Sequence, residues 1–155
     1  MYPATLALHS WLRWLVLAAG ALAVLRAVVG LFGPRPWTPA DDKAGRWFTL
    51  TLDVQTLLGL LLYGVLSPVT RNAFADMGTA MGTASLRFWA VEHIVAMLLA
   101  VILAHVGKAR TRRPPTAAAK HRTALIFFGV ALLLLAAGMP WPWSSADPRP
   151  LMRLP

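Results

Sequence analysis

Four histidines lie inside or beside long apolar stretches, where a polar side chain needs a partner or a purpose. Counted from the middle of each stretch at ~1.5 Å per residue, His9 and His93 lie toward one side of a membrane, and His105 and His121 lie toward the other. Imidazole nitrogens from facing helices hold b-type haem without covalent links. This sorting predicts a haem between His9 and His93 and a possible second haem between His105 and His121.

Spacing along the helices supports this arrangement. His93 and His105 are twelve residues apart, which is ~18 Å along a helix and a rotation of ~120°, so the two side chains face different neighbours. Arg13 follows His9 by four residues and shares its helix face. We expect Arg13 either to neutralise a haem propionate or to pair with Glu92.

Structural roles compete with these functional ones. His9 lies close to an interface, and His105 and His121 have lysine and arginine neighbours that are typical of a solvated helix end. Asp53 and Gln55 lie deep in the second stretch, where they would hydrogen-bond His105, bind a quinone or carry protons. A hydrogen bond between helices is the most frequent use of such residues in membranes.

The composition identifies the elements that position these residues. Of the 155 residues, 57% are hydrophobic and 14% are charged, whereas soluble domains are roughly a quarter charged. Each apolar stretch is near the ~20 residues that span a bilayer as a helix. We predict an all-α integral membrane protein with four transmembrane helices in an up-down antiparallel bundle, a single domain over 1–143 and an extramembrane tail over 144–155. The predicted helices are 5–32, 47–66, 88–107 and 123–139.

Several chemistries are excluded by the residues that are absent. Without cysteine there is no disulfide framework, iron–sulfur cluster or thiolate zinc site. Phosphate-binding loops, nucleophile elbows and zinc-protease motifs are absent too, so an electron carrier is favoured over a stand-alone catalyst. The net charge of +9 reflects membrane topology rather than nucleic-acid binding, because six of the fifteen basic residues lie in one inter-helix segment, 108–122.

The basic residues also predict the orientation. The connections 33–47 and 107–122 carry nine lysines and arginines, against four on the opposite side. Because cytoplasmic loops retain positive charge, both termini are predicted on the non-cytoplasmic side. The tryptophans then fall into two interfacial belts, as expected for a multi-pass protein.

Four short segments form a recognisable set: His-Ser-Trp-Leu-Arg-Trp at 9–14, Gln-Thr-Leu-Leu-Gly at 55–59, Val-Glu-His-Ile at 91–94 and Pro-Trp-Pro-Trp at 140–143. Together they resemble a family of small bacterial four-helix membrane proteins that are usually described as cytochrome b-like. The resemblance covers about residues 2–143 and implies a haem-binding electron carrier of the bacterial inner membrane, with His9 and His93 in the family's histidine motifs. Asp53 stands where relatives often have histidine.

The sequence thus favours a b-type cytochrome that binds one or two haems by paired histidines and transfers electrons in a respiratory or quinone-linked chain. Paired ligation leaves no open iron position and therefore favours electron transfer. The expected partners are membrane lipid, a possible quinone and a possible larger membrane complex. Two alternatives stay open: a cofactor-free accessory subunit of a respiratory or photosynthetic complex, and a pigment-binding subunit in which His93 ligates magnesium.

Overall fold

The structure is a computed structural model that describes residues 1–152, and within that part of the chain the regular secondary structure is entirely helical. Two long helices include a π-helical turn, which follows α2 in one case and precedes α6 in the other. The elements are α1 (Tyr2–Phe32), α2 (Pro39–Leu61) with the π turn Leu62–Leu66, α3 (Pro68–Ala75), α4 (Met77–Gly82), α5 (Ala84–Arg87) with the π turn Phe88–Glu92, α6 (His93–Arg110) and α7 (Ala117–Ala137).

Four of these helical segments are long and apolar enough to cross a membrane, which confirms the four predicted helices. The arrangement is consistent with a multi-pass membrane protein. The connection between the second and third spanning segments contains the short helices α3 and α4. The four spanning segments are Tyr2–Phe32, Pro39–Leu66, Ala84–Arg110 and Ala117–Ala137.

The second spanning segment begins eight residues earlier than its apolar stretch. Pro39 occupies the first turn, where its missing N–H is not needed. Thr38 precedes it, and its backbone N–H donates to the Asp41 carboxylate at 2.8 Å in a capping box. Hydropathy overlooks this start because the first turn is acidic.

The long helices pack in a ring. Helix α1 contacts α2 and α7, and α6 also contacts α2 and α7, with α2 and α6 being the most loosely packed neighbours. Many of the buried positions are alanine, which lets helices approach closely. Phe48 and Phe128 meet edge to face at 5.7 Å inside this core.

One side-chain hydrogen bond joins the π turn at the end of α2 to the π turn before α6, and another holds the first of these turns to α3. Pro68 has no N–H to offer the carbonyl of Tyr63 five residues earlier, and the hydroxyl of Thr70 donates to that carbonyl at 2.8 Å instead. The Tyr63 hydroxyl donates to the carbonyl of Ala90 in the other π turn at 2.7 Å. Turns of this kind are frequent at functional sites, and both contribute side chains to the cavity described below.

An ion cluster holds the opposite end of the ring together. The buried Asp41 carboxylate accepts from Arg26 at 2.9 Å and from Arg35 at 2.7 Å. The hydrogen bond to Asp41 raises the pKa of Arg35 above its ordinary value. Lys108 on α6 reaches across to Asp42 on α2 at 3.1 Å. We call this the basic end, because nine of the fifteen lysines and arginines lie in its two connections and the helix ends beside them, at 33–47 and 107–122.

Candidate functional site

A cavity opens at the end of the ring opposite the basic end. Its volume is about 140 Å³. The wall is mostly apolar, and its polar side chains come from α1, α2, the two π turns, α3, α6 and the C-terminal tail. These polar side chains include His9, Ser10, Arg13, Gln55, Tyr63, Ser67, Thr70, Trp89, His93 and Arg149.

His93 begins α6 and lines this cavity. Its Nδ1 lies 2.7 Å from the backbone carbonyl of Gly138. Because a carbonyl only accepts, Nδ1 carries the proton and Nε2 keeps its lone pair. The rings of Phe88 and Trp89 flank the imidazole at 5.8 and 5.2 Å. A histidine that is oriented through one nitrogen by a carbonyl presents the other nitrogen as a ligand.

His9 lies on α1 and lines the same cavity, but its ring is already engaged by Gln55 on α2. The Gln55 amide donates to His9 Nε2 at 3.3 Å and to the His9 carbonyl at 3.0 Å. Gly59 allows this approach, since a Cβ there would lie 3.2 Å from the imidazole. His9 Nδ1 and Gln55 Oε1 are buried without a hydrogen-bond partner. The His9–Gln55 pair thus retains unused capacity for hydrogen bonding.

Arg13 also lines the cavity, but it does not pair with Glu92, which was one of the two roles predicted for it. Its guanidinium donates to the carbonyls of Pro150, at 3.1 Å, and Leu151. Glu92 instead accepts from Arg87 at 2.7 Å, and both of those side chains are well exposed. Arg87 is on the preceding turn of the same helical segment and reaches Glu92 without crossing between helices.

The C-terminal tail closes part of the cavity. Besides the Arg13 contacts, Trp14 donates to the Leu151 carbonyl at 3.0 Å, and Trp89 donates to the Asp147 carboxylate. Arg149 pairs with Asp147 at 2.6 Å and lies on the cavity wall. Of the tail predicted over 144–155, residues 153–155 lie outside the described part of the chain. The role of this tail as a cavity wall had no signal in the sequence.

His105 lies away from this cavity and pairs with Asp53. Its Nε2 donates to the Asp53 carboxylate at 2.7 Å, which links α6 to α2. Asp53 thus makes one of the contacts predicted for it, a hydrogen bond between helices. Gln55 bonds His9 and not His105.

His121 is fully buried near the basic end, against α1. Its ring packs on Gly30 and lies 4.9 Å from the ring of Trp37, and neither ring nitrogen has a hydrogen-bond partner. His105 is half exposed and bonded to Asp53, so the structure does not bring His105 and His121 together as a ligand pair.

Within residues 1–152 there is no group of three or more histidine, aspartate or glutamate side chains placed to hold a metal ion. Comparisons of the chain with family models, curated proteins and solved structures found no match. What the cavity binds is therefore inferred from the side chains that line it.

Proposed function

We propose that this chain is a membrane cytochrome of the b type, which binds one haem in the cavity lined by His9 and His93 and transfers electrons in a respiratory or quinone-linked chain. The observation that carries this proposal is the state of His93. Its Nδ1–H is fixed by the Gly138 carbonyl and its lone pair is left on Nε2, on the wall of a mostly apolar cavity that a second histidine shares.

The residues present fit a haem most directly on the His93 side. His93 would hold the haem iron through Nε2, and Arg13 would supply positive charge at the cavity wall for the haem carboxylates. His9 would be the second iron ligand, through the Nε2 that now accepts from the Gln55 amide. The unpartnered Oε1 of Gln55 and Nδ1 of His9 are the groups available to pair in that arrangement.

A bound haem supplies one-electron redox chemistry at its iron. This chain's own residues orient and shield it. Gly138 fixes the tautomer and angle of the His93 ring, and Phe88 and Trp89 pack around that ring and limit the access of water. We propose a single haem, because His105 and His121 face different neighbours.

The proposal places the protein in a bacterial inner membrane as an antiparallel four-helix bundle. The exposed surfaces of the long helices carry large apolar side chains, which suit contact with lipid. The basic end would face the cytoplasm, in keeping with the excess of lysine and arginine in its two connections. Both termini would then lie on the opposite side.

A second candidate function, a cofactor-free accessory subunit of a larger membrane complex, is favoured by the His9–Gln55 contact. The amide bonds both the ring and the backbone carbonyl of His9, so this pair joins α1 to α2 without any ligand. In that case the cavity would be filled by lipid or by a neighbouring subunit.

The test is a dithionite-reduced minus air-oxidised spectrum of gently purified protein from haem-supplied cells, with haem quantified as pyridine haemochrome. We expect a b-type α-band in the wild type that is lost in His93→Ala. His105→Ala is the matched control, because it removes a histidine from the same helix outside the cavity, and it should retain the band.

A wild-type protein that folds but shows no Soret band would overturn the haem proposal and support the accessory subunit. A red or near-infrared band that is lost in His93→Ala would instead identify a magnesium pigment. A loss of haem in His105→Ala equal to that in His93→Ala would contradict the position of the site.

A further inference from the structure

An ion pair lies on the outer surface between α2 and α6. The side chains of Asp53 and His105 are 40% and 49% exposed, although both residues lie within spanning segments. Large apolar side chains surround the pair on the same surface, including Leu57 on α2 and Ile102 on α6. We call this surface the α2–α6 face.

A half-exposed ion pair is energetically unfavourable in contact with lipid. Ionisable groups within membrane segments almost always face the protein interior or a partner, because hydrocarbon offers no hydrogen bonds. Asp53 and His105 satisfy one another at 2.7 Å, but the outer sides of both groups stay uncovered. Something polar is therefore expected to cover this face in the membrane.

We propose that the α2–α6 face is covered by the same face of a second copy of the chain, related by a two-fold axis along the membrane normal. Such a rotation leaves every residue at the same depth in the membrane and reverses the lateral order of α2 and α6 on the facing surface. Helix α2 of one copy then meets α6 of the other. Asp53 and His105 lie at the same depth, since they are hydrogen-bonded, so each Asp53 would meet the His105 of the partner copy.

Charge complementarity favours a second copy over an unrelated partner. The two-fold contact creates a closed ring in which acid and base alternate, and no other chain has to supply matching groups. The remaining contact would be made by apolar side chains such as Leu57 and Ile102, which are 67% and 56% exposed.

This inference rests on the proposed membrane location but not on haem. A failure to bind haem would leave it standing, and a monomeric protein would leave the haem proposal standing.

The first test exchanges the charges in separate chains. An Asp53→His chain carries two histidines on this face, and a His105→Asp chain carries two acids, so neither matches itself. When the two differently tagged chains are co-expressed, each acid of one again meets a histidine of the other. We expect each single variant to dimerise roughly tenfold less than the wild type, and the mixed pair to recover.

The mixed pair distinguishes the proposal from a purely internal role. If Asp53 and His105 only join α2 to α6 within one chain, mixing two damaged chains restores nothing. The double variant Asp53→His/His105→Asp rebuilds both kinds of contact and serves as the folding control.

The second test uses the absence of cysteine from the chain. One tagged chain carries Leu57→Cys and the other carries Ile102→Cys, so a disulfide forms only between chains. Both positions lie toward the cavity end of the ion pair, Leu57 four residues from Asp53 and Ile102 three residues from His105, which is ~6 and ~4.5 Å along the helices. The control pair, Leu25→Cys with Ile126→Cys, is similarly exposed but lies on α1 and α7, at positions whose depths match because Gly20 contacts Leu132 and Gly30 contacts His121.

We expect cross-linking of the first pair in membranes and little of the control pair, together with a purified protein mass of twice the 16.8 kDa chain. Equal cross-linking of both pairs, a monomeric mass in mild detergent with no cross-link in membranes, or a different protein held at this face would overturn the proposal.

Discussion

Gly30 lies where α1 passes the ring of the buried His121, and replacing it with alanine would drive a methyl group into that ring. A Cβ on Gly30 would lie 2.1 to 2.4 Å from three ring atoms, whereas ordinary contacts begin near 3.4 Å. The ring would have to move by about 1 Å, although it is fully buried and packs against Trp37. Overpacking of this kind costs ~1–3 kcal/mol.

We expect the upper end of that range, about 3 kcal/mol, because no solvent-facing space is open to the ring. Alanine is favoured over glycine within a helix by ~1 kcal/mol. The net loss in the free energy of unfolding for Gly30→Ala is therefore roughly 2 kcal/mol. Gly129→Ala is the matched control, because its Cβ would meet nothing within 4 Å. The two variants should therefore differ by about 3 kcal/mol in the free energy of unfolding.

The assay is an SDS titration in mixed micelles, followed by tryptophan fluorescence. In the His121→Ala background, Gly30→Ala should cost little or nothing, since the ring that the methyl group strikes is gone. The reasoning is refuted if Gly30→Ala is as stable as Gly129→Ala, or if Gly30→Ala costs as much in the His121→Ala background as in the wild type.

Two further predictions concern carboxylates. Asp41→Asn should lower the free energy of unfolding by about 3 kcal/mol, because it leaves two arginines around an uncharged buried group. The Asp42 side chain is 49% exposed, so Asp42→Asn should lower that free energy by less than ~1 kcal/mol in the same titration. Equal losses would contradict the assignment of Asp41 as the buried anchor. Hydrogen bonds from Thr79 lower the pKa of Asp76 below its ordinary value of 3.8. The Asp76 carboxylate therefore caps α4 fully at pH values above 3.8, and the cap is lost as the pH falls through the lowered pKa. In an NMR titration the Asp76 midpoint should rise in Thr79→Val, and an unchanged midpoint would count against this capping role.

The number of long helices could be predicted from hydropathy because each one contains an unbroken apolar stretch. Their ends could not, because helix starts depend on local polar contacts. Thr38 and Asp41 begin α2 in a stretch too polar for a membrane scale. Likewise the π turn at Tyr63 depends on Pro68 and on the hydroxyl of Thr70, and these residues produce no periodic pattern of hydrophobicity in the sequence.

The site could be predicted in part. Depth along a helix was enough to place His9 and His93 at the same end, where they line one cavity. Depth alone does not identify the neighbouring helix. Asp53 and Gln55 are two residues apart, a rotation of ~200°, so they cannot serve the same partner. Asp53 bonds His105, whereas Gln55 bonds His9.

Rotation around the helix also explains why His121 is buried although its neighbours are charged. Its flanking lysine and arginine indicated a solvated helix end, but adjacent helical residues point ~100° apart. Lys120 and Arg122 can therefore remain near the surface while His121 turns inward onto Gly30. The glycine that receives the ring lies 91 positions earlier in the chain, a distance over which no periodicity connects them.

The tail that forms part of the cavity wall couples two equilibria. Arg149 and Pro150 contact the cavity space, and Arg13 and Trp14 hold the tail through backbone carbonyls. Any ligand that touches these residues changes the free energy of tail docking, and by reciprocity docking changes the ligand's affinity by the same factor. The rate at which a protease cleaves within residues 144–152 therefore reports whether the cavity is occupied. This measurement needs no absorbance signal, so it serves for a colourless ligand as well as for a pigment.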